Sequence, residues 1–278
     1  MTTTATGQAR GTSDLARRTA SGLILAAIVF ASVVTVPTFT AVLLAICLLS
    51  LRELAGLSPQ KGQGLIFPVA AVAVTVYIVL AAFGLQHACE KLLLAGTILA
   101  SLAFSLRGSR QGYFARSAAT VFGVLYIGWL GSYFLALRNL AHDGAFFAVG
   151  SIVAVAFTDI FAMVVGTAIG RTPLTSISPR KTWEGALGGL AATVAVCAGC
   201  APMLGFVWWH GAIVGALTSV AAQVGDIVES AFKRDAHVKD AGTLMAGHGG
   251  ILDRFDSYLF GGIAFYAALY LTGHIAHP

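Results

Sequence analysis

Hydrophobic positions in this chain come in long runs rather than in the alternating or one-sided patterns of soluble elements. Nine apolar segments can be drawn, approximately Ser21–Val36, Thr38–Leu57, Leu65–Leu85, Leu92–Leu106, Ser117–Leu137, Ala145–Gly170, Trp183–Trp208, Ala212–Phe232 and Phe255–Ile275. A helix that crosses a bilayer needs about 20 mostly apolar residues, and most of these segments are long enough. The fourth is short. Pro37 separates the first two with little room for a loop, so a tight turn at the membrane surface is expected there. The pattern predicts an all-α polytopic membrane protein of about nine transmembrane helices.

Composition agrees. Of 278 residues, 57% are hydrophobic and only 10% charged, with a mean hydropathy of +0.83; a soluble domain is roughly a quarter charged. Met1–Arg18 is polar, and the run that follows passes straight into more apolar sequence without a clear cleavage site. It reads as a retained first span. With the N-terminus in the cytosol and sides alternating, fifteen of the seventeen Lys and Arg residues are cytosolic, and only Lys91 and Arg138 fall outside. The net charge of +5 is then explained by loops lying against anionic headgroups. No basic stripe with interleaved aromatics is present, so no nucleic-acid partner is expected. The bilayer is the expected environment, of the bacterial plasma-membrane (inner-membrane) type. Cys197 and Cys200 have no His or acidic co-ligand near them in sequence and read as small apolar residues of a lipid-embedded helix.

The acids change the picture most. Asp14, Glu53, Glu90 and Asp143 sit at span ends or loops and read as ordinary interfacial charges. The other eight lie between Asp159 and Asp256, several within apolar segments, where a carboxylate costs several kcal/mol unless paired, hydrated or bound to a metal. The chain therefore divides into scaffold helices, residues 1–150, and a catalytic membrane region, residues 151–278. Asp226, Glu229, Ser230 and Lys233 recur at three- and four-residue intervals and share one helix face. With Arg234 just beyond, they suit a metal–phosphate site. The rival reading, a snorkelling Lys-Arg at a helix end, accounts for Arg234 but not for Asp226. The following loop carries Lys239, Asp240 and Gly247-His248-Gly249-Gly250, then Asp253-Arg254-Phe255-Asp256. Glycines let backbone N–H groups approach an anion. Asp253 and Asp256, one turn apart, could complete a metal shell or cap the last helix. A second island, Ser176 to Gly185, with Ser178, Arg180 and Lys181 before a helix start, could hold an anion or serve as a capped interfacial loop. Both islands face the cytosol in this topology, so they can meet.

Taken together, Ser230-Ala-Phe-Lys233-Arg234, Lys239-Asp240, Gly242 and His248-Gly249-Gly250-Ile-Leu-Asp253-Arg254-Phe-Asp256 resemble the signature of the phosphatidate cytidylyltransferases, the CDP-diacylglycerol synthases. Ser178-Pro-Arg-Lys-Thr-Trp-Glu-Gly185 resembles a second block of that family, as do the Gly225-Asp226 pair and, further upstream, Asp159. The likeness covers Thr158 to Ser257. One departure is Met245-Ala246, where the family has an aliphatic residue followed by Pro or Gly. The resemblance implies transfer of CMP from CTP to phosphatidic acid, giving CDP-diacylglycerol and pyrophosphate in phospholipid biosynthesis. It implies dependence on Mg²⁺, allows a second cation such as K⁺, and carries a homodimer as a family-level expectation. On that view Asp226 and Asp253, with Asp256 second to them, are the metal ligands. Lys181, Ser230, Lys233, Arg234 and His248 carry the catalytic and phosphate-binding roles. Ser178, Arg180, Lys239, Gly249, Gly250 and Arg254 complete the substrate site. The readings left open are a CTP-dependent lipid kinase, a cytidylyltransferase acting on another lipid phosphate and, from another class, an ion-coupled transporter.

Overall fold

The computed structural model describes residues 22, 24–57, 64–107, 112–242 and 249–275, and these are helical and contain no strand. Helix α1 covers residues 24–32. It is followed by α2 (Val36–Gly56), α3 (Phe67–Ala82), α4 (Gln86–Ser105), α5 (Tyr113–Gly123) and α6 (Leu130–Arg138). The second half comprises α7 (Gly144–Ile169), α8 (Trp183–Cys200), α9 (Trp208–Asp235) and α10 (Leu252–Leu271). A π-helical turn, Val124–Trp129, joins α5 to α6 in one continuous rod, Tyr113–Arg138. Among the described residues six rods are long and apolar enough to cross a membrane: α2, α4, the α5–α6 rod, α7, α8 with its 3₁₀ extension to Leu204, and α9. The protein is thus an integral membrane protein by the length and composition of its helices.

Local chemistry explains the helix starts. Pro37 lies inside the first turn of α2, where its missing N–H costs nothing, and the Thr35 hydroxyl accepts the Thr38 N–H. Thr182 caps α8 by accepting the Gly185 N–H at 3.2 Å. Several helix ends shift by a few residues from the hydropathy pattern, and two of the shifts have a clear local cause. The fourth begins at Gln86, a turn and a half before the apolar run, because Gln86, His87, Glu90 and Lys91 hide its first turns from a hydropathy reading. The seventh ends at Cys200–Leu204 rather than running on to Trp208, since Pro202 falls in the tightened last turn.

Contacts at the two ends fix alternating helix directions. At one end the close of α2 meets the start of α10, where the Leu252 N–H donates to Glu53. There too the start of α5 meets the end of α4 through Ser117 and Ser105. At the opposite end, Arg138 donates to the carbonyls of Val33 and Val34 after α1, and Asn139 donates to Ala81 and Ala82 of α3. His210 at the start of α9 meets His274 after α10. Large apolar side chains such as Phe83, Leu92, Leu99 and Leu187 stand exposed on the outer faces, as expected where lipid is the solvent.

Candidate active site

A cavity of about 920 Å³ lies between α1, the first half of α2, α7, the start of α8, the second half of α9 and the start of α10. Its wall has two chemistries. Leu25, Val29 and Phe30 of α1, Phe39 and Leu43 of α2, and Met163 of α7 make its apolar part. The lining also includes Asp159 of α7, Arg180 and Lys181 before α8, Asp226 of α9, and Asp253, Arg254 and Asp256 of α10.

The loop 171–182 is clamped at its base. The Trp183 N–H donates to the Thr172 carbonyl, and the Leu174 N–H donates to the Lys181 carbonyl at 2.7 Å. The Glu184 carboxylate accepts the N–H groups of Arg171 and Thr172 and the Thr172 hydroxyl, at 2.9–3.2 Å. With the loop held this way, Lys181 Nζ lies 2.5 Å from Asp226 Oδ2, the pair being partly buried. This ion pair joins the two polar islands.

A second charge cluster lies beside it. Lys233 pairs with Glu229, which is fully buried, and donates to Asp253 Oδ1 at 2.7 Å. Asp253 also accepts the Ala241 N–H at 2.9 Å and the Gly250 N–H at 2.6 Å. Gly249 adopts φ +83°, and a Cβ there would stand 2.6 Å from Asp253 Oδ2, so conformation and space both call for glycine. Asp256 is 5% exposed. It feels the charges of Asp226, Glu229 and Asp159. Asp256 lies within α10 and does not serve as its N-cap; that position is Ile251.

Of the residues singled out from the sequence, Arg180, Lys181, Asp226, Asp253, Arg254 and Asp256 line the cavity. Lys233 stands behind Asp253, and Ser230 is buried within the bundle. Ser178 accepts the Lys181 N–H within its loop and Gly250 donates to Asp253, with Gly249 beside it, while Arg234 and Lys239 are exposed outside the cavity's lining. His248, Met245 and Ala246 lie outside the described residues. Asp159 joins the wall; an acid deep in an apolar segment was its signal. Glu53 requires a correction. Rather than an interfacial charge, it is half-buried, and its Oε2 accepts the Leu252 N–H at 2.8 Å. No local pattern marks a contact made across 199 residues.

The profile of the cytidylyltransferase family matches residues 16–272. Phosphatidate cytidylyltransferase 5, chloroplastic, of Arabidopsis thaliana is 33% identical over 270 residues, covering 84% of this chain and 66% of that protein. Phosphatidate cytidylyltransferase 4, chloroplastic, of the same plant is 39% identical over 186 residues, 58% of this chain and 47% of that one. The phosphatidate cytidylyltransferase of Synechocystis sp. is 33% identical over 253 residues, 80% of this chain and 85% of that one. The chain thus spans just under two thirds and about half of the two plant relatives' lengths, and most of the cyanobacterial one.

Proposed function

Because the chain belongs to the cytidylyltransferase family, we propose that it transfers the cytidylyl group of CTP to phosphatidic acid, giving CDP-diacylglycerol and pyrophosphate. The observation that carries this reading is the mixed lining of the cavity, where cations and carboxylates meet apolar side chains of α1, α2 and α7. An amphiphile with an anionic phosphate head and acyl chains matches both chemistries, and the chains remain in lipid while the head reaches Lys181, Arg180 and Arg254.

In the reaction a phosphatidate oxygen bonds to the α-phosphorus of CTP. The bond from that phosphorus to the bridging oxygen breaks, and pyrophosphate leaves with the electron pair. The attacking oxygen is ionised near neutral pH, so no strong general base is required. The task of the protein is to align two polyanions and neutralise them. Lys181, in a clamped loop, offers its ammonium to phosphate oxygens once it exchanges Asp226 for substrate. Arg180 and Arg254 add guanidinium donors in the same lining.

The acids fit a divalent cation. Asp159, Asp226, Asp253 and Asp256 all line the cavity, and Asp256 sits within the field of three other carboxylates. Among the described residues no group of three or more ligand side chains forms a ready-made cage. That suits Mg²⁺, which is commonly held by one or two carboxylates, water and substrate phosphates. Asp226 and Asp256 would hold it, and Asp253 would join by releasing Lys233. Bound there, the cation would supply charge neutralisation at the departing pyrophosphate.

The topology follows the same reading: nine spans, N-terminus in the cytosol, and the cavity at the cytosolic face of a bacterial inner membrane. The alternating end contacts and the clustering of Arg52, Arg171, Arg180, Lys181, Lys233, Arg234 and Lys239 toward the end where α10 starts support it. The test is a proteoliposome assay with phosphatidic acid, Mg²⁺ and CTP labelled at either the α- or the γ-phosphorus. Label from the α-position should enter the lipid. Label from the γ-position alone would indicate a kinase, and no lipid-linked label with any phospholipid acceptor would overturn the proposal.

A further inference from the structure

Glu53 follows Arg52 at the end of the apolar run of α2, yet it reaches into the signature region. Its Oε2 accepts the N–H of Leu252, the first residue of α10, while Oε1 is buried without a hydrogen-bond partner. Two glycines make room for this carboxylate. A Cβ on Gly242 would collide with Oε1 and stand 2.6 Å from Cδ, and a Cβ on Gly250 would collide with Oε2 and stand 2.5 Å from Cδ. Helix α10 has no side-chain cap of its own at Ile251. An anion delivered from α2 to its positive N-terminal end fills that role.

The same backbone is gripped from the other side. Asp253 accepts the N–H groups of Ala241 and Gly250, and Glu53 packs against Gly242 and Gly250, so the two carboxylates sit against the same two stretches of backbone. Asp253 is on the cavity wall and Asp256 follows one turn later. Any slackening at Leu252 is passed directly to both acids.

We propose that Glu53 is a positioning residue for cytidylyl transfer, fixing the start of α10 so that Asp253 and Asp256 present their oxygens to the cavity. This rests on the activity proposed above. Glu53 touches no reacting atom; it acts through the helix start it holds. Gln at this position keeps an oxygen acceptor for Leu252, whereas Ala removes it.

The experiment compares Glu53→Ala and Glu53→Gln in the full-length protein, by steady-state transfer kinetics and by hydrogen exchange of the peptide spanning Ile251–Asp256. Glu53→Ala should lower kcat about tenfold or more with the KM for phosphatidic acid nearly unchanged, while Glu53→Gln recovers most of the rate. Exchange at the start of α10 should quicken about tenfold in the Ala variant and stay near wild type in the Gln variant. Wild-type kcat in Glu53→Ala, a Gln variant as impaired as Ala, or unchanged exchange would each overturn the proposal. The exchange measurement reads the positioning role even if the wild-type protein transfers nothing to phosphatidic acid. That last outcome would sink the activity and leave the clasp to be judged on exchange alone.

Discussion

Helices α1–α6 and α7–α10 face the same solvent but pack by different means. In the first group large side chains fill the centre: Tyr77, Ile78, Ile127, Phe134, Leu135 and Leu51 are essentially inaccessible. In the second, small residues bring backbones together. A Cβ on Gly189 of α8 would stand 2.6 Å from the Thr158 carbonyl of α7, and one on Gly215 of α9 would stand 2.7 Å from the Thr193 carbonyl. Thr158 and Thr193 hydrogen-bond across that interface at 2.7 Å. Lipid gives no hydrophobic drive between helices, so close packing and polar contacts take its place. Tight packing also has a chemical consequence. Helix ends drawn this near let Lys181 reach Asp226, and Lys233 reach both Glu229 and Asp253. The acids of the second region are therefore held by neighbouring elements, as is Glu53 where it reaches into that region, whereas Glu90 of α4 pairs with His87 of its own helix at 3.9 Å.

The largest test of this difference removes a cation. Lys233→Met leaves Glu229 and Asp253 buried without their partner, an arrangement that costs about 3–5 kcal/mol. Folded yield in detergent and the unfolding midpoint should both fall sharply. Lys91→Met, at an exposed position on α4, should change neither. Equal losses for both would mean that the two regions do not differ in how they hold charge.

Next in size are the carboxylates of the cavity. Asp226→Asn and Asp253→Asn should each reduce cytidylyl transfer by about 10²–10³-fold, with the protein still inserted. Glu90→Gln should stay within about twofold of wild type, as suits a surface charge. A variant retaining near-native rates at low Mg²⁺ would lose its place as a ligand. Smaller again is the packing itself. Gly189→Leu forces α7 and α8 apart and should cost about 1–3 kcal/mol. Gly96→Leu on α4, where a Cβ meets nothing within 4 Å, should be close to neutral in a thermal-shift assay.

Much of the first-order architecture is legible in the residues, because apolar runs report lipid-spanning helices directly. The meeting of the two islands followed from alternation of sides, and the Lys181–Asp226 pair realises it. What the sequence does not carry is the partner of each charge. Asp226, Glu229 and Lys233 share a face by spacing, yet Asp226 turns to the loop before α8 while Glu229 and Lys233 turn to each other and α10. Periodicity locates a face and is silent about which neighbouring element covers each turn of it. Glu53 is the clearest case: its role depends on two glycines that follow it by almost 200 residues. The apolar lining lent by α1 and α2 was hidden for the same reason, since their sequences show only that they lie in lipid.

The smallest effect belongs to the opposite end of α9 and α10, where the same two helices meet without acids. There His274 Nε2 and His210 Nδ1 are 2.8 Å apart, and His274 stacks on Phe206. Burial, then the neighbouring His210, hold His274 below its ordinary value of 6.5. The unfolded chain, titrating at that ordinary value, therefore binds the proton more readily as pH drops past about 6.5. The contribution of His274 to stability is present above this pH and is lost as pH falls from there through the lower folded value. Acidification from about pH 7.5 to about pH 5.5 should lower the unfolding midpoint slightly through this residue. His274→Asn should remove that increment, whereas Asp226→Asn should retain it. If His274→Asn kept the full acid slope, the imidazole pair would have no part in it, and the acid sensitivity would belong to the charged end of the helices instead.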